Sequence, residues 1–501
     1  MGQNAPMTGI RRSFALASAD RYFAVILNFV TLLVTARLLT PAEFGVAVIG
    51  LAVLGLAETL HDFGGSAYIV QVKDLTPARL HAVFTVTFFL TVSVAALLFF
   101  MAGPLAEFYD TPGLKAFMQV ASACFLLGPF VSPVHALMRR NFEFGKMAVL
   151  SAASIVVNTG VTITLALLGY SYMSFAWGSL MGGIVYLALC WWWGPQERVY
   201  RLTFAEWRDV SAYGIYDSLK KLLYYAWEAV PLLAFGKTLG ADGLGLYQRA
   251  FSVSRLPEKT MLAGLAPVLL PAFSQHAREG RDLKIGFLRS IEHTTVFFWP
   301  ALVFIIILAG PIVDVLLGHQ WVAVVPIVQI ISAAFLLQLP TSIVNSVQIA
   351  VGAVRDSFVL ALVTIPASIA VQVFASLYGL EMAAASLLIT GPFCLLISLV
   401  MVRARVPFAW EELWASLWRS GVVTLFSALG PAAVAIACGG THQVTIAAGA
   451  IGLLTAPVGW LVGLYVARHP MLEEVRRAFD YVLARLSAKV PERTPSEDIK
   501  R

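Results

Sequence analysis

Charge is what this sequence has least of. Asp, Glu, Lys and Arg make up 13% of its 501 residues, against 59% hydrophobic residues, and mean hydropathy is +0.79. A soluble domain carries about 25% charge, so this balance excludes one. Cysteine is nearly as scarce. Cys124, Cys190, Cys394 and Cys438 each sit in an apolar run without metal-ligand spacing, and read as packing residues. The sequence has no Gly-rich phosphate loop of the Walker type and no His/Cys/carboxylate cluster. Its histidines are scattered, mostly at the ends of apolar runs. These absences leave no catalytic constellation and no cofactor or metal site, so an enzyme is not expected. The net charge of +6 would suggest nucleic acid only in a soluble protein. Here the positive residues fall in alternate loops, where they report topology instead.

What is present is a series of apolar runs, each about 20 residues long and sufficient to cross a bilayer as a helix. They define an all-α integral membrane protein of fourteen spans, near 14–39, 43–69, 80–106, 115–138, 147–169, 173–193, 210–236, 243–271, 290–317, 322–350, 357–379, 382–403, 417–439 and 443–467. Arg11 and Arg12 precede a full-length run with no small-residue cleavage site after it, so a cleaved leader is not expected. Loops after even-numbered spans hold Lys73, Arg79, Arg139, Arg140, Lys146 and a further ten Lys or Arg residues; loops after odd-numbered spans hold only Lys115 and Lys237. By the positive-inside rule both termini are cytoplasmic. After Pro470, Leu472, Val475, Phe479, Val482, Leu483 and Leu486 fall at helical spacing opposite Glu473, Arg477 and Arg485. Two readings of that tail stand: a helix on the inner leaflet, or a solvated one. The residues from Pro491 on have the composition of a disordered end.

The chain also repeats itself. Shifted by 200 residues, spans seven and eight fall on spans one and two without a gap, matching Leu39 with Leu239, Gly45 with Gly245, Glu58 with Glu258 and Arg37 with Lys237. The offset then drifts: Gly103-Pro104 answers Gly310-Pro311 at 207, and Gly169 answers Gly379 at 210. Each unit has six spans, an even number, so the two enter the membrane from the same side as a parallel repeat. The expected organisation is an N-lobe over 1–200, a C-lobe over 201–410, two further spans over 411–469 and a tail over 470–501.

Charge inside the spans is concentrated in the first pair of each unit. A charge near the bilayer centre costs roughly 2.5–3.5 kcal/mol on the insertion scale, so these residues face a water-filled cavity or pair inside the bundle. Asp217, Lys221, Tyr224 and Glu228 share one helix face; Gln248, Ser252, Arg255 and Lys259 share another. Lys220 and Arg249 lie beside these stripes. Span one carries Arg21, and span two carries Glu58 and Asp62 one turn apart. The candidate cavity set is therefore Arg255, Arg249, Lys220, Lys221, Arg21, Gln248 and Tyr224. Glu58, Asp62 and Glu228 are candidates for a coupling ion. Arg255 lies roughly 18 Å into its span, near the midplane, and Pro257 should loosen the helix there. Buried pairs pinning helices together, such as Arg21 with Glu58, are the competing structural reading. Gln329, Gln338, Asn345 and Gln348 in span ten suit either sugar hydroxyls or interhelical hydrogen bonds.

Several short stretches resemble one known family. Leu38-Leu39-Thr40-Pro41-Ala42-Glu43-Phe44-Gly45 is similar to the first outer turn of the Wzx/WzxC/ExoT-type polysaccharide flippases. Leu246-Tyr247-Gln248-Arg249-Ala250 and the run from Pro267 to Phe273 resemble their eighth span. Leu317-Gly318-His319-Gln320-Trp321 with Pro326-Ile327-Val328-Gln329-Ile330 resembles their ninth-to-tenth junction, and Met138-Arg139-Arg140-Asn141-Phe142 their inner loop after span four. The resemblance covers roughly residues 10–470. It implies the two-lobed fold of the multidrug/oligosaccharidyl-lipid/polysaccharide exporter superfamily, with a V-shaped cleft between lobes. It also implies movement of undecaprenyl-diphosphate-linked oligosaccharides to the outer leaflet of the bacterial inner membrane, beside polysaccharide polymerase and export machinery. A diphosphate needs several cations in a low-dielectric cavity, and Lys220, Lys221, Arg249 and Arg255 offer four. The alternatives are a multidrug-type cation antiporter, which should use acidic cleft residues, a peptidoglycan-precursor flippase, and a membrane polysaccharide polymerase or ligase, which should need a large outer loop.

Overall fold

The structure, a computed structural model, describes residues 7–61, 65–193, 199–338, 341–441, 443–477 and 480, some helical stretches such as 7–21, 212–220 and 262–271 by their backbone alone. Among the described residues there is no strand. The helices run in the order α1 (Met7–Leu38), α2 (Pro41–His61), α3 (Gly65–Gln71), α4 (Pro77–Phe108), α5 (Gly113–Phe125), α6 (Gly128–Arg140), α7 (Phe144–Leu167), α8 (Met173–Trp193), α9 (Trp207–Thr238) and α10 (Gly240–Ser254). There follow α11 (Leu256–Arg278), α12 (Leu283–Ile307), α13 (Ala309–Leu316), a 3-10 turn over His319–Val324, α14 (Val325–Leu336), α15 (Thr341–Ala350), α16 (Val354–Ser376), α17 (Leu380–Ala385), α18 (Leu387–Arg403), α19 (Trp410–Ala437) and α20 (Ile446–Val466).

Ten helices among the described residues are long and apolar enough to cross a membrane, or eleven if α5 and α6, bent by 44°, form one span. The sequence expectation was fourteen. The difference falls on the expected first, seventh and eighth spans, each of which runs through a stretch described by its backbone alone. In the first, the shorter stretch Tyr22–Leu38 is apolar.

Helix ends follow local chemistry. Thr40 and Glu43 form a reciprocal cap at the start of α2: the Thr40 amide donates to Glu43 Oε2 at 2.8 Å, and the Glu43 amide to Thr40 Oγ1 at 3.3 Å. Thr76 and Thr445 cap α4 and α20 in the simpler way. Pro257, lacking an N–H, stands at the second position of α11, and the helix breaks two residues earlier, at Arg255.

The two halves meet where α2 lies against α9 and α10. That crossing is close because it uses glycine twice. A Cβ on Gly45 would overlap the carbonyl of Ala241, and a Cβ on Gly245 would overlap the carbonyl of Pro41. Positions 41 and 241, like 45 and 245, are 200 apart, so each half gives the other the same contact. A second contact is reciprocal in the same way. Arg37 donates to the carbonyl of Val315 at 2.9 Å, while Lys237 donates to that of Phe108 at 2.7 Å, and 108 and 315 are 207 apart. Trp321, fully buried, seals the seam by donating its indole N–H to the carbonyl of Ala36 at 2.6 Å.

α19 and α20 pack on each other, and α19 also packs along α12. The chain beyond α20 turns back on them: Met471, Leu472 and Val475 pack against Val296, Val423 and Leu464. These first apolar residues of the tail are therefore partly covered by protein. The tail from 481 on lies outside the described residues.

Candidate functional site

A cavity of about 480 Å³ lies below the seam. All of its lining residues come from α9 to α18, so the cavity belongs to the second half of the chain. The sequence led us to expect a cleft lined by both halves, and of the four charge-bearing spans only the seventh and eighth reach this space. Trp227, Glu228, Pro231 and Leu232 of α9 form one wall. Tyr247, Gln248, Phe251 and Ser252 of α10, with Arg255, Glu258 and Lys259 at the α10–α11 joint, form the second. Residues of α12, α14, α16 and α18, with Gln338, close the remaining side. The helical interval that joins Gln248, Ser252, Arg255 and Lys259 in the sequence thus joins them on the cavity wall.

Arg255 is held between two carboxylates. Its Nε donates to Glu258 Oε2 at 3.0 Å, and Nη1 approaches Glu228 Oε1 at 3.4 Å. Its guanidinium carbon also lies 5.4 Å from the centre of the Phe251 ring. Glu258 is the more enclosed partner and Glu228 the more open one, with side chains 21% and 58% exposed. Two acids and two bases line this wall, so its formal charge cancels.

Arg249 lies elsewhere. One residue from Gln248, it points about 100° away around the helix and enters the seam. It is 3% exposed. Its guanidinium carbon stands 3.6 Å from the centre of the Phe44 ring and 5.4 Å from that of Trp321, and Nη2 donates to Thr35 Oγ1 at 3.1 Å. Its Nε is buried without a partner. Among the described residues no carboxylate pairs with it. The position 200 residues earlier is Ile49, fully buried in the same crossing, where a Cβ on Gly236 would touch it. The seam can therefore close on an apolar side chain.

The remaining sequence candidates are placed as follows. Glu58 is exposed on α2, within electrostatic reach of Tyr225, which also feels Glu228. The Tyr225 hydroxyl occupies the space a Cβ on Gly55 would need, so α2 and α9 touch there. Lys221 is half-buried on α9. Asp62 and the side chains of Arg21, Lys220 and Tyr224 lie outside what is described.

Sequence reasoning missed the wall opposite the charges. Ser368, Gln372 and Thr390 line the cavity there, all three at most 5% exposed. A signal existed: Thr364, Ser368, Gln372 and Ser376 recur every fourth residue in the otherwise apolar stretch Phe358–Ser376, and all four are buried. A polar stripe at that interval marks a face turned to something other than lipid.

Comparison with known proteins agrees with this architecture. Residues 34–326, more than half of the chain, match the family model described as "Polysaccharide biosynthesis protein". The lipopolysaccharide biosynthesis protein WzxC of Escherichia coli K12 is 23% identical over 461 residues, 90% of this chain and 93% of its own length. The succinoglycan biosynthesis transport protein ExoT of Rhizobium meliloti is 25% identical over 322 residues, 63% of this chain and 64% of its own. Among solved structures, the lipid II flippase MurJ in an inward closed conformation superposes with a TM-score of 0.74 at 13% identity, covering 90% of this chain and 98% of that one. An inward-facing multidrug transporter of the MATE family gives 0.60 at 13% identity, covering 78% and 95%. These two likenesses concern the fold.

Proposed function

This chain belongs to the polysaccharide biosynthesis protein family, and we propose that it is a flippase for undecaprenyl-diphosphate-linked oligosaccharide repeat units. It carries them from the cytoplasmic to the periplasmic leaflet of the bacterial inner membrane by alternating access. In this reading 1–200 and 201–410 are two lobes around a pseudo-two-fold axis, with 411–469 added at the side. The reciprocal contacts of Gly45 with Ala241 and of Gly245 with Pro41 support that symmetry. The loop charges put the seam on the periplasmic side and both termini in the cytoplasm. The observation that carries the proposal is a cavity with charged and amide side chains inside an apolar helical bundle, walled in part by α10, the helix that makes the glycine-mediated crossing with α2. A wall of cations already held by carboxylates suits an anionic head group that displaces them.

The diphosphate binds Arg255 and Lys259, displacing Glu228, the longer and more exposed partner of Arg255. Lys220, Lys221, Arg21, Tyr224 and Gln248 complete the cleft, and Arg249 joins it only when the seam opens. Glu58, Asp62 and Glu228 are the acids available to a coupling ion. A multidrug-type antiporter is less well supported, because both acids on the cavity wall are engaged by Arg255. A peptidoglycan precursor is also a lipid-linked saccharide, and family membership is what favours a polysaccharide substrate.

The test is deletion of the gene, with analysis of lipid-linked intermediates and surface polysaccharide. Loss of surface polysaccharide with repeat units accumulating on their lipid carrier is expected. Unchanged polysaccharide would refute the proposal, and arrested cell-wall growth in its place would transfer the role to peptidoglycan precursors.

A further inference from the structure

Three amide side chains, Gln248, Gln338 and Gln372, line the cavity. Among the described residues none of them donates or accepts a hydrogen bond, although Gln372 is 5% exposed. Gln248 and Gln338 are half-buried, and all three amides open onto the cavity rather than into the packed core. Three amides open to one cavity and unengaged by protein suit a ligand that supplies both donors and acceptors. Hydroxyl groups do so, and an amide matches them with an acceptor oxygen and two N–H donors. Beside these amides the wall is aromatic, with Trp227, Phe251 and Phe335. The combination of apolar faces and a few placed polar groups is how small-molecule sites fix orientation, and 480 Å³ lies within their usual range of about 300–1,000 Å³.

Charge is distributed unevenly in this space. Glu228, Arg255, Glu258 and Lys259 all sit on the α9 and α10–α11 walls, whereas every lining residue from α12, α14, α16 and α18 is uncharged. A carboxylate carried deep into the cavity would lose its hydration and find no cation there.

We propose that the amide-lined part of the cavity is a saccharide subsite selective for uncharged sugar rings, with the diphosphate remaining at the Arg255–Lys259 wall. The proposal rests on the flippase reading and deepens it: the second half of the chain reads the sugar, and it reads neutrality.

The test uses full-length protein in lipid nanodiscs and saturation-transfer NMR with two probes of equal length, cellobiose and cellobiouronic acid. Saturation transfer to cellobiose, several-fold weaker to the uronate, is expected. Gln372→Leu and Gln338→Leu should remove most of it without changing elution volume or melting temperature. Equal signals from the two sugars, or a signal that survives both substitutions, would overturn the proposal. If the leucine variants fail to fold, Cys394 provides a readout that leaves the amides intact, because its thiol lines the same cavity. In a Cys124→Ala, Cys190→Ala, Cys438→Ala background, cellobiose should slow maleimide labelling of Cys394 and cellobiouronic acid should not. Labelling indifferent to both sugars also sinks the subsite. Gene deletion separates the two ideas. Normal polysaccharide in the deletion strain removes the flippase reading while leaving sugar binding intact. An export-defective deletion combined with no sugar binding removes the subsite alone.

Discussion

Arg249 makes the closed seam nearly balanced, and opposite substitutions around it should move the seam in opposite directions. Burying a guanidinium away from a carboxylate costs several kcal/mol even after the protein relaxes. Phe44 at 3.6 Å returns about 2 kcal/mol as a desolvated cation–π contact, and Trp321 at 5.4 Å returns less. The bond to Thr35 returns about 1.5–3 kcal/mol. The buried Nε without a partner adds a penalty of about 1–3 kcal/mol, which we take as the net opposition to closing. Phe44→Leu removes the larger of the two cation–π returns, about 2 kcal/mol, so the open state should gain roughly 30-fold. Arg249→Met removes both the returns and the larger cost, and its counterpart Ile49 shows that an apolar side chain fits such a crossing. That variant should favour the closed state by roughly 5- to 150-fold. The assay is pulsed electron spin resonance between labels on Ala42→Cys and Asp242→Cys, both exposed at the rim of the seam, in a cysteine-free background in nanodiscs. The open-state distance should grow with Phe44→Leu and vanish with Arg249→Met. Movement of both variants in the same direction would refute the argument that the buried cation opposes closure.

Gly45→Ala and Gly245→Ala each set a methyl against a backbone carbonyl of the other half, so each should hold the seam apart and lose transport to the same degree. A tenfold difference between them in surface polysaccharide per inserted protein would argue against the reciprocal contact. Arg255→Ala should lose most export and Arg255→Lys should recover part, since charge survives but the bidentate fork does not; rescue of Arg255→Ala by Glu228→Gln would instead make the residue a structural ion-pair partner. Glu58→Gln should abolish transport with normal membrane insertion if Glu58 binds a coupling ion, and normal export in that variant would remove it from that role. At the α12–α19 junction His469 is fully buried beside Glu292, His293 and Arg419, and accepts the Met471 amide on Nδ1 at 3.1 Å. Burial, with the nearby His293 and Arg419, depresses its pKa from 6.5 to about 4. The unfolded chain therefore takes a proton near pH 6.5 while the fold resists until about pH 4, and stability is lost as pH falls through that window. Melting in detergent should show this loss, and His469→Gln should flatten the profile; an unchanged profile would place the acid sensitivity elsewhere.

The helices were legible because their cause is local. Apolar runs, proline joints and Thr-based caps act over a few residues, and the internal repeat is read by shifting the chain on itself. The face shared by Gln248, Ser252, Arg255 and Lys259 was legible for the same reason, since 3.6 residues per turn fixes which side chains lie together. That arithmetic stops at the helix surface. It separates Arg249 from Gln248 by about 100° but does not say what each side meets. Only the tertiary crossing decided that Arg249 meets Thr35 and Phe44 around the α1–α2 turn and Trp321 far along the chain. In the same way, two acids from α9 and α11 converge on Arg255 and cancel a charge that the sequence counted as available. Composition and periodicity determined an apolar helical bundle with charge concentrated in a few helices. Tertiary packing decided which of those charges are paired, which is buried alone, and which wall of the cavity is left for a ligand, because side-chain partners are set by helix crossings that no single helix encodes.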